Sequence, residues 1–240
     1  MNKFIIIAGV IVAVLAAAGV GAFFFYKNVF LQADEAYVID FIRKYPEKAS
    51  LRIVRNDSVV ADFHSDRMMP LASTVKIIIA VEFAQQAATG KVDANELIPL
   101  DSLALFYIPN TDGGAHPQWL QHIQKNEFLH DGGVSLLQVA KSMVTFSSNA
   151  NTEYLMMRLG LENINRNLKE LGFTQHEELY PFVSSLYVFR NPATIPEDQF
   201  YKMLKQTSLK EYVDESSGFH RRVRNDRDSS FRKTFMFPSL

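Results

Sequence analysis

The chain has 240 residues, 48% of them hydrophobic, and a formal net charge of −1. That is apolar material for one ordinary domain or two small lobes, and the near-neutral charge gives no electrostatic case for a nucleic-acid partner. Without a single cysteine, disulfides, thiolate metal sites, cysteine nucleophiles and a lipidated cysteine anchor are excluded.

Residues 4–26 carry no charge between Lys3 and Lys27. A helix of that length spans a hydrocarbon core of about 30 Å. For residues 1–29 a buried core helix is the minor reading, and two others lead. One is an uncleaved signal anchor, favoured because Phe23, Phe24 and Phe25 prolong the apolar run beyond the small residues. The other is a signal peptide cleaved near Ala16, Ala17 and Ala18. Lys3 keeps the N-terminus inside, so residues 30–240 are expected in the periplasm or exterior, membrane-tethered or secreted.

The spacing predicts a helix over 33–45, stopped by Pro46, and then two β-type runs at 51–54 and 59–63 around a turn at Asn56-Asp57-Ser58. A strong helix is expected from Ser73 to about Ala88, with Gly90 just beyond its end. Residues 101–134 read as loop, with Asp112-Gly113-Gly114 and Asp131-Gly132-Gly133 as turns. Ser135 opens the next helix, and Gln138 sits where a capping box needs it. The helix breaks at Ser147-Ser148-Asn149, resumes to Gly160, and is followed by another over 161–171. After a mixed loop at 173–196, Pro196 starts a helix with Glu197 and Asp198 in its first turn.

Ser73 and Lys76 stand three apart, on one helical face. A serine hydroxyl needs a base beside it to act as a nucleophile, and a lysine serves once burial lowers its pKa. The pattern alone is weak, because a capping serine with a solvated lysine gives the same letters. However, Ile77, Ile78, Ile79, Ala80 and Val81 follow Lys76, and a lysine entering such a run is buried at a cost unless partnered. At the break, Ser147 and Asn149 offer a hydroxyl for proton transfer and an amide for a substrate carbonyl; the plainer alternative is a polar connection with Ser148 as N-cap.

Together, Pro70-Leu71-Ala72-Ser73-Thr74-Val75-Lys76 and Phe146-Ser147-Ser148-Asn149-Ala150-Asn151-Thr152 resemble the nucleophile helix and the Ser-Asp-Asn loop of class A β-lactamases and related penicillin-binding proteins. Ser148 stands where aspartate is usual. His130-Asp131-Gly132-Gly133-Val134-Ser135, Leu159-Gly160 and Leu171-Gly172 fit the same family in the same order, over roughly 33–175. The resemblance implies an α+β fold of the β-lactamase/transpeptidase type, with a helical lobe beside an antiparallel sheet lobe. It implies Ser73 as the acylated nucleophile, its N–H as half of the oxyanion hole, and Lys76 as base or part of a proton relay. Ser147 would pass a proton to the leaving nitrogen, and Asn149 would bind the substrate's acyl side-chain amide. The implied substrate is a small β-lactam or a cell-wall peptide-like amide or ester, with no cofactor.

The family's Glu-x-x-x-Asn loop has only His176-Glu177-Glu178 as a counterpart, without the asparagine. Glu177 or Glu178 as deacylating base is the sharper reading, solvated carboxylates the plainer one. For the Lys-Thr-Gly strand the nearest match is Arg232-Lys233-Thr234-Phe235, which lacks the glycine. The sequence therefore reads as C-terminally incomplete, with part of the sheet lobe missing. Beside the hydrolase stand two alternatives: a penicillin-binding or peptidase-like protein without lactamase turnover, and a non-catalytic pseudoenzyme. Tyr107 is a candidate cleft-rim aromatic, or simply a packed loop tyrosine. His116, His122 and His130 lack metal-ligand spacing. Arg221, Arg222, Arg224, Arg227, Arg232 and Lys233 read as a solvated basic face, and Met156 and Met157 as helix packing.

Overall fold

The computed structural model describes residues 12, 15–16, 18–27, 36–173, 175–189, 195–226 and 230–231. The chain divides into two compact units, Met1–Met69 and Pro70–Leu240.

In the first unit the described residues between 12 and 27 are helical. Among the described residues no helix is long and apolar enough to cross a membrane; much of the 4–26 run lies outside them. Helix α1 (Tyr37–Lys44) ends before Pro46. Strands β1 (Leu51–Arg55) and β2 (Ser58–Phe63) form an antiparallel hairpin with an irregular register at Ile53/Val54. Its turn rests on Asn56 and Asp57, at φ 49° and 61°. Asparagine and aspartate tolerate this left-handed conformation, which matches the twist of the strands. Arg52 pairs with Asp62 across the strands at 3.3 Å. Ile53, Val54, Val59 and Val60 all remain exposed.

The second unit carries the core. A 3-10 turn (Ala72–Val75) leads into α2 (Lys76–Ala88). Thus Ser73 lies in a tighter turn before the α-helix expected to hold it. Strand β3 (Leu97–Pro99) and helix α3 (Leu100–Ala104) follow. Helix α4 (Ala115–Lys125) occupies the stretch expected to be loop. Its first turn tolerates Pro117, whose missing N–H is not needed there. Trp119 and Ile123, four apart on one face, are both 1% exposed.

Strand β4 (Gly133–Ser135) pairs antiparallel with β3, three residues against three. A Cβ on Gly133 would lie 2.7 Å from the Ile98 carbonyl oxygen, so only glycine fits this crossing. Helix α5 (Leu136–Thr145) is capped by Ser135, whose Oγ accepts the Gln138 N–H. Helix α6 (Asn149–Leu159) is capped by Ser148 and stops at Gly160, φ 85°. Next come α7 (Leu161–Glu170), the short α8 (Phe182–Ser185), α9 (Glu197–Gln206) and α10 (Leu209–Asn225). Ser208 and Glu211 close a reciprocal capping box on α10.

Helix α6 is buried nearly all round, from Ala150 to Met156, and is the axis on which α2, α3, α4, α5, α7 and α8 pack. Leu155, Met156 and Leu159 meet Ile79, Phe106, Met143 and Ile164 in one apolar cluster. Each such side chain contributes about 1.5–3 kcal/mol on burial. The Gln86 amide, 4% exposed, donates to the Leu159 carbonyl at 2.9 Å, which ties α2 to the end of α6. The described fold is therefore helix-rich with two small antiparallel sheets, each two-stranded. Residues 232–235, the nearest match to a Lys-Thr-Gly strand, lie outside the described residues.

Candidate active site

Lys76, at the first position of α2, is only 3% exposed. Its amine donates to the Ser147 carbonyl at 2.6 Å and to Asn149 Oδ1 at 2.8 Å, and meets Ser147 Oγ at 2.8 Å. The first two partners only accept. The hydroxyl accepts from an ammonium or donates to a neutral amine. Burial pushes the Lys76 pKa from 10.5 down to about 8, against the pull of the Asp112 carboxylate.

Ser73 lies one helical turn before the amine and is exposed. Its carbonyl accepts the Lys76 N–H. Among the described residues neither its hydroxyl nor its N–H has a hydrogen-bond partner. Ala72, just before it, sits at φ 48°. Side chains other than glycine, asparagine and aspartate reach this region at about 1–2 kcal/mol, and such strain gathers at functional turns.

The Ser147-Ser148-Asn149 loop is strained in the same sense, Ser147 having φ 65°. Ser148 is fully buried. Its Oγ accepts the Asn151 N–H at 3.3 Å and lies 2.9 Å from His116 Nδ1. Ser148 is thus the N-cap of α6, while its neighbours Ser147 and Asn149 turn to Lys76. Asn149 turns its oxygen to Lys76 and its Nδ2 to the Thr111 carbonyl at 3.4 Å.

The Lys76 amine thus touches both Ser147 and Asn149, three residues read from sequence; Ser73 lies on the turn that enters α2, and among the described residues its hydroxyl makes no hydrogen bond to any of the three. From the neighbouring segment, residues 107–116, sequence reading offers Tyr107 as a rim aromatic and Asp112-Gly113-Gly114 as a turn, but no part for Asp112 or His116 in the site. Asp112 accepts the N–H groups of Gly114 and His116 through its carboxylate, at 3.2 and 3.0 Å. Its charge opposes the burial effect on both Lys76 and His116. Burial pushes the His116 imidazole below its ordinary pKa, and burial together with Asp112 pushes Tyr107 up. Tyr107 stacks on His116 with ring centres 4.8 Å apart. The available signal was the four-residue spacing of Trp119 and Ile123, which would have turned the first Asp-Gly-Gly triplet into the start of a helix.

A fully buried acid was also missed. Glu153 on α6 is fully buried. Its carboxylate accepts the N–H groups of Val183 and Ser184 and the Ser184 hydroxyl, and meets His220 Nδ1 at 2.8 Å. It holds α8 and α10 against α6. By contrast Glu177 and Glu178 are exposed, and Glu178 pairs with Lys169 at 3.3 Å. His122 contacts Asn126, and His130 bridges to Gly133. Among the described residues no three His, Asp or Glu side chains converge as metal ligands. Arg221, Arg222 and Arg224 are exposed, as a solvated face requires, while Met156 packs in the core.

A model of the beta-lactamase enzyme family matches residues 35–215. No curated protein matches the chain.

Proposed function

The chain belongs to the beta-lactamase enzyme family, and from that premise we propose that it is a membrane-tethered serine hydrolase acting by acyl transfer through Ser73. The substrate is a β-lactam or a related cell-wall amide or ester. One observation carries the reading: a lysine amine 3% exposed, one turn from Ser73 and 2.8 Å from the Ser147 hydroxyl.

With a pKa of about 8, about a tenth of the Lys76 amines are neutral at pH 7. Neutral Lys76, directly or through Ser147, takes the Ser73 proton as Oγ attacks the carbonyl carbon. The free Ser73 N–H faces the developing oxyanion as one of its donors. Ser147 hands a proton to the departing nitrogen and regains one from Lys76. The carbon–nitrogen bond breaks and an ester on Ser73 remains. Asn149 orients the substrate's acyl amide, exchanging its contact with Thr111 for one with substrate.

A second reading rests on the exposure of Glu177 and Glu178. Without a carboxylate held over the ester, water attacks slowly, and the protein behaves as a penicillin-binding or peptidase-like relative rather than a lactamase. The apolar run at 4–26 supports the tether and a domain facing the periplasm or exterior.

The test is labelling with a fluorescent penicillin beside hydrolysis of a chromogenic cephalosporin. Stable label that disappears in Ser73→Ala supports acylation without turnover. Rapid hydrolysis that disappears in the same variant supports a lactamase. Neither signal from folded protein overturns the enzyme reading in favour of a binding-only relative.

A further inference from the structure

Helix α4 and the turn before it touch the Ser147–Asn149 loop at independent points. The Thr111 carbonyl accepts from Asn149 Nδ2 at 3.4 Å. His116 Nδ1 lies 2.9 Å from Ser148 Oγ. Asp112 fixes the backbone under the imidazole by accepting the His116 N–H at 3.0 Å. The ring itself is 3% exposed, stacked by Tyr107 at 4.8 Å and flanked by Trp119 at 5.3 Å. It has little freedom to leave Ser148.

The hydrogen bonding also has a direction. Ser148 Oγ already accepts the Asn151 N–H. His116 Nδ1 is the acceptor within reach of its hydroxyl proton, and a bond in that direction goes with the tautomer protonated at Nε2. A neutral imidazole then holds, from the outside, the one loop residue that faces away from Lys76. Ser147 and Asn149, on either side of it, face Lys76.

We infer that His116 is a positioning residue for acyl transfer: by accepting from Ser148 it fixes the Ser147–Asn149 loop, and so the proton-transfer hydroxyl and the substrate-binding amide. This rests on the hydrolase reading above for its catalytic part, and on geometry alone for its structural part. Displacing a reacting group by about 1 Å costs roughly 100-fold in rate.

The test uses the full chain and two substitutions. His116→Ala removes the acceptor. His116→Asn sets an amide oxygen close to where Nδ1 stood. The acylation rate constant with a fluorescent penicillin is expected to fall by up to roughly 100-fold in His116→Ala and to return close to the wild-type value in His116→Asn. Backbone amide exchange over 147–152, measured without any label, is expected to speed up in the first variant and stay slow in the second. Wild-type labelling rates in His116→Ala, or equal slowing in both variants, overturn the inference. If the wild type takes no label, the hydrolase reading fails and amide exchange decides the positioning role alone: unchanged exchange in His116→Ala overturns it. If the variants do not fold, the imidazole ¹⁵N shifts of the wild type decide, a proton on Nδ1 being the overturning result.

Discussion

The two sides of the candidate site are built differently. The Ser147 loop is locked: its residues meet Lys76, Thr111 and His116. The Ser73 turn is open: its serine is exposed, with hydroxyl and N–H unpartnered among the described residues. Yet each side contains one non-glycine residue at positive φ, Ala72 at 48° and Ser147 at 65°. Strain is common to both and order is not. In the proposed hydrolase, the hydroxyl that receives the substrate is left free, while the groups that aim at it are fixed in advance.

Lys76 stands between the two sides, its backbone N–H on the Ser73 carbonyl and its amine on the Ser147 loop, so loss of the amine is the strongest way to break the comparison. Lys76→Ala is expected to slow acylation about 10³-fold, measured by penicillin labelling; near-wild-type labelling would make the two sides independent. Next is the support beneath the locked side. Glu153→Ala strips the acceptor from the buried N–H groups of Val183 and Ser184. It should cost about 3 kcal/mol or more, read as a lower denaturation midpoint.

The pH dependence sharpens the role of the amine. In the proposed mechanism the neutral form is the base, and it grows as pH rises toward the Lys76 pKa of about 8. Acylation should therefore rise about tenfold per pH unit on the acid side and level off above that pKa. A rate that instead falls above pH 8 would mean the ammonium is the acting form. The smallest effects concern strain. Ser147→Gly relieves about 1–2 kcal/mol of strain but takes a hydroxyl partner from the buried Lys76 amine, a loss of similar size, so stability should change little while acylation slows. Ala72→Gly should gain up to about 1 kcal/mol and keep most labelling. Thermal melts beside labelling rates would separate the two.

Much of this was legible from sequence where chemistry is local. Ser73 and Lys76 share a face by spacing. Ser135 and Ser148 are caps by residue type, and the break at 147–149 follows from a polar triplet between apolar periodicities. What stayed hidden is tertiary. Helix α4 was masked by the Asp-Gly-Gly and Pro117 that introduce it. Strands β3 and β4, three residues each, are too short for alternation to register. That Asn149 turns its amide to Lys76 and Thr111, or that His116 meets Ser148 across 32 residues, depends on which loops the core brings together. The fully buried carboxylate is Glu153, which sequence reading did not single out, whereas Glu177 and Glu178, raised by the family resemblance, have the exposure of the plainer solvated reading.

Gly133 gives the crossing of β3 and β4 an unforgiving character. It sits two residues before the Ser135 cap, and α5 runs from there as a rod of about 15 Å to the threshold of Ser147. A single methyl group at 133 has nowhere to go but against the Ile98 carbonyl. The displacement it forces is carried down the rod like the throw of a lever. A library randomised at this position should return glycine alone among acylating clones, although the residue lies a helix length from the reacting atoms.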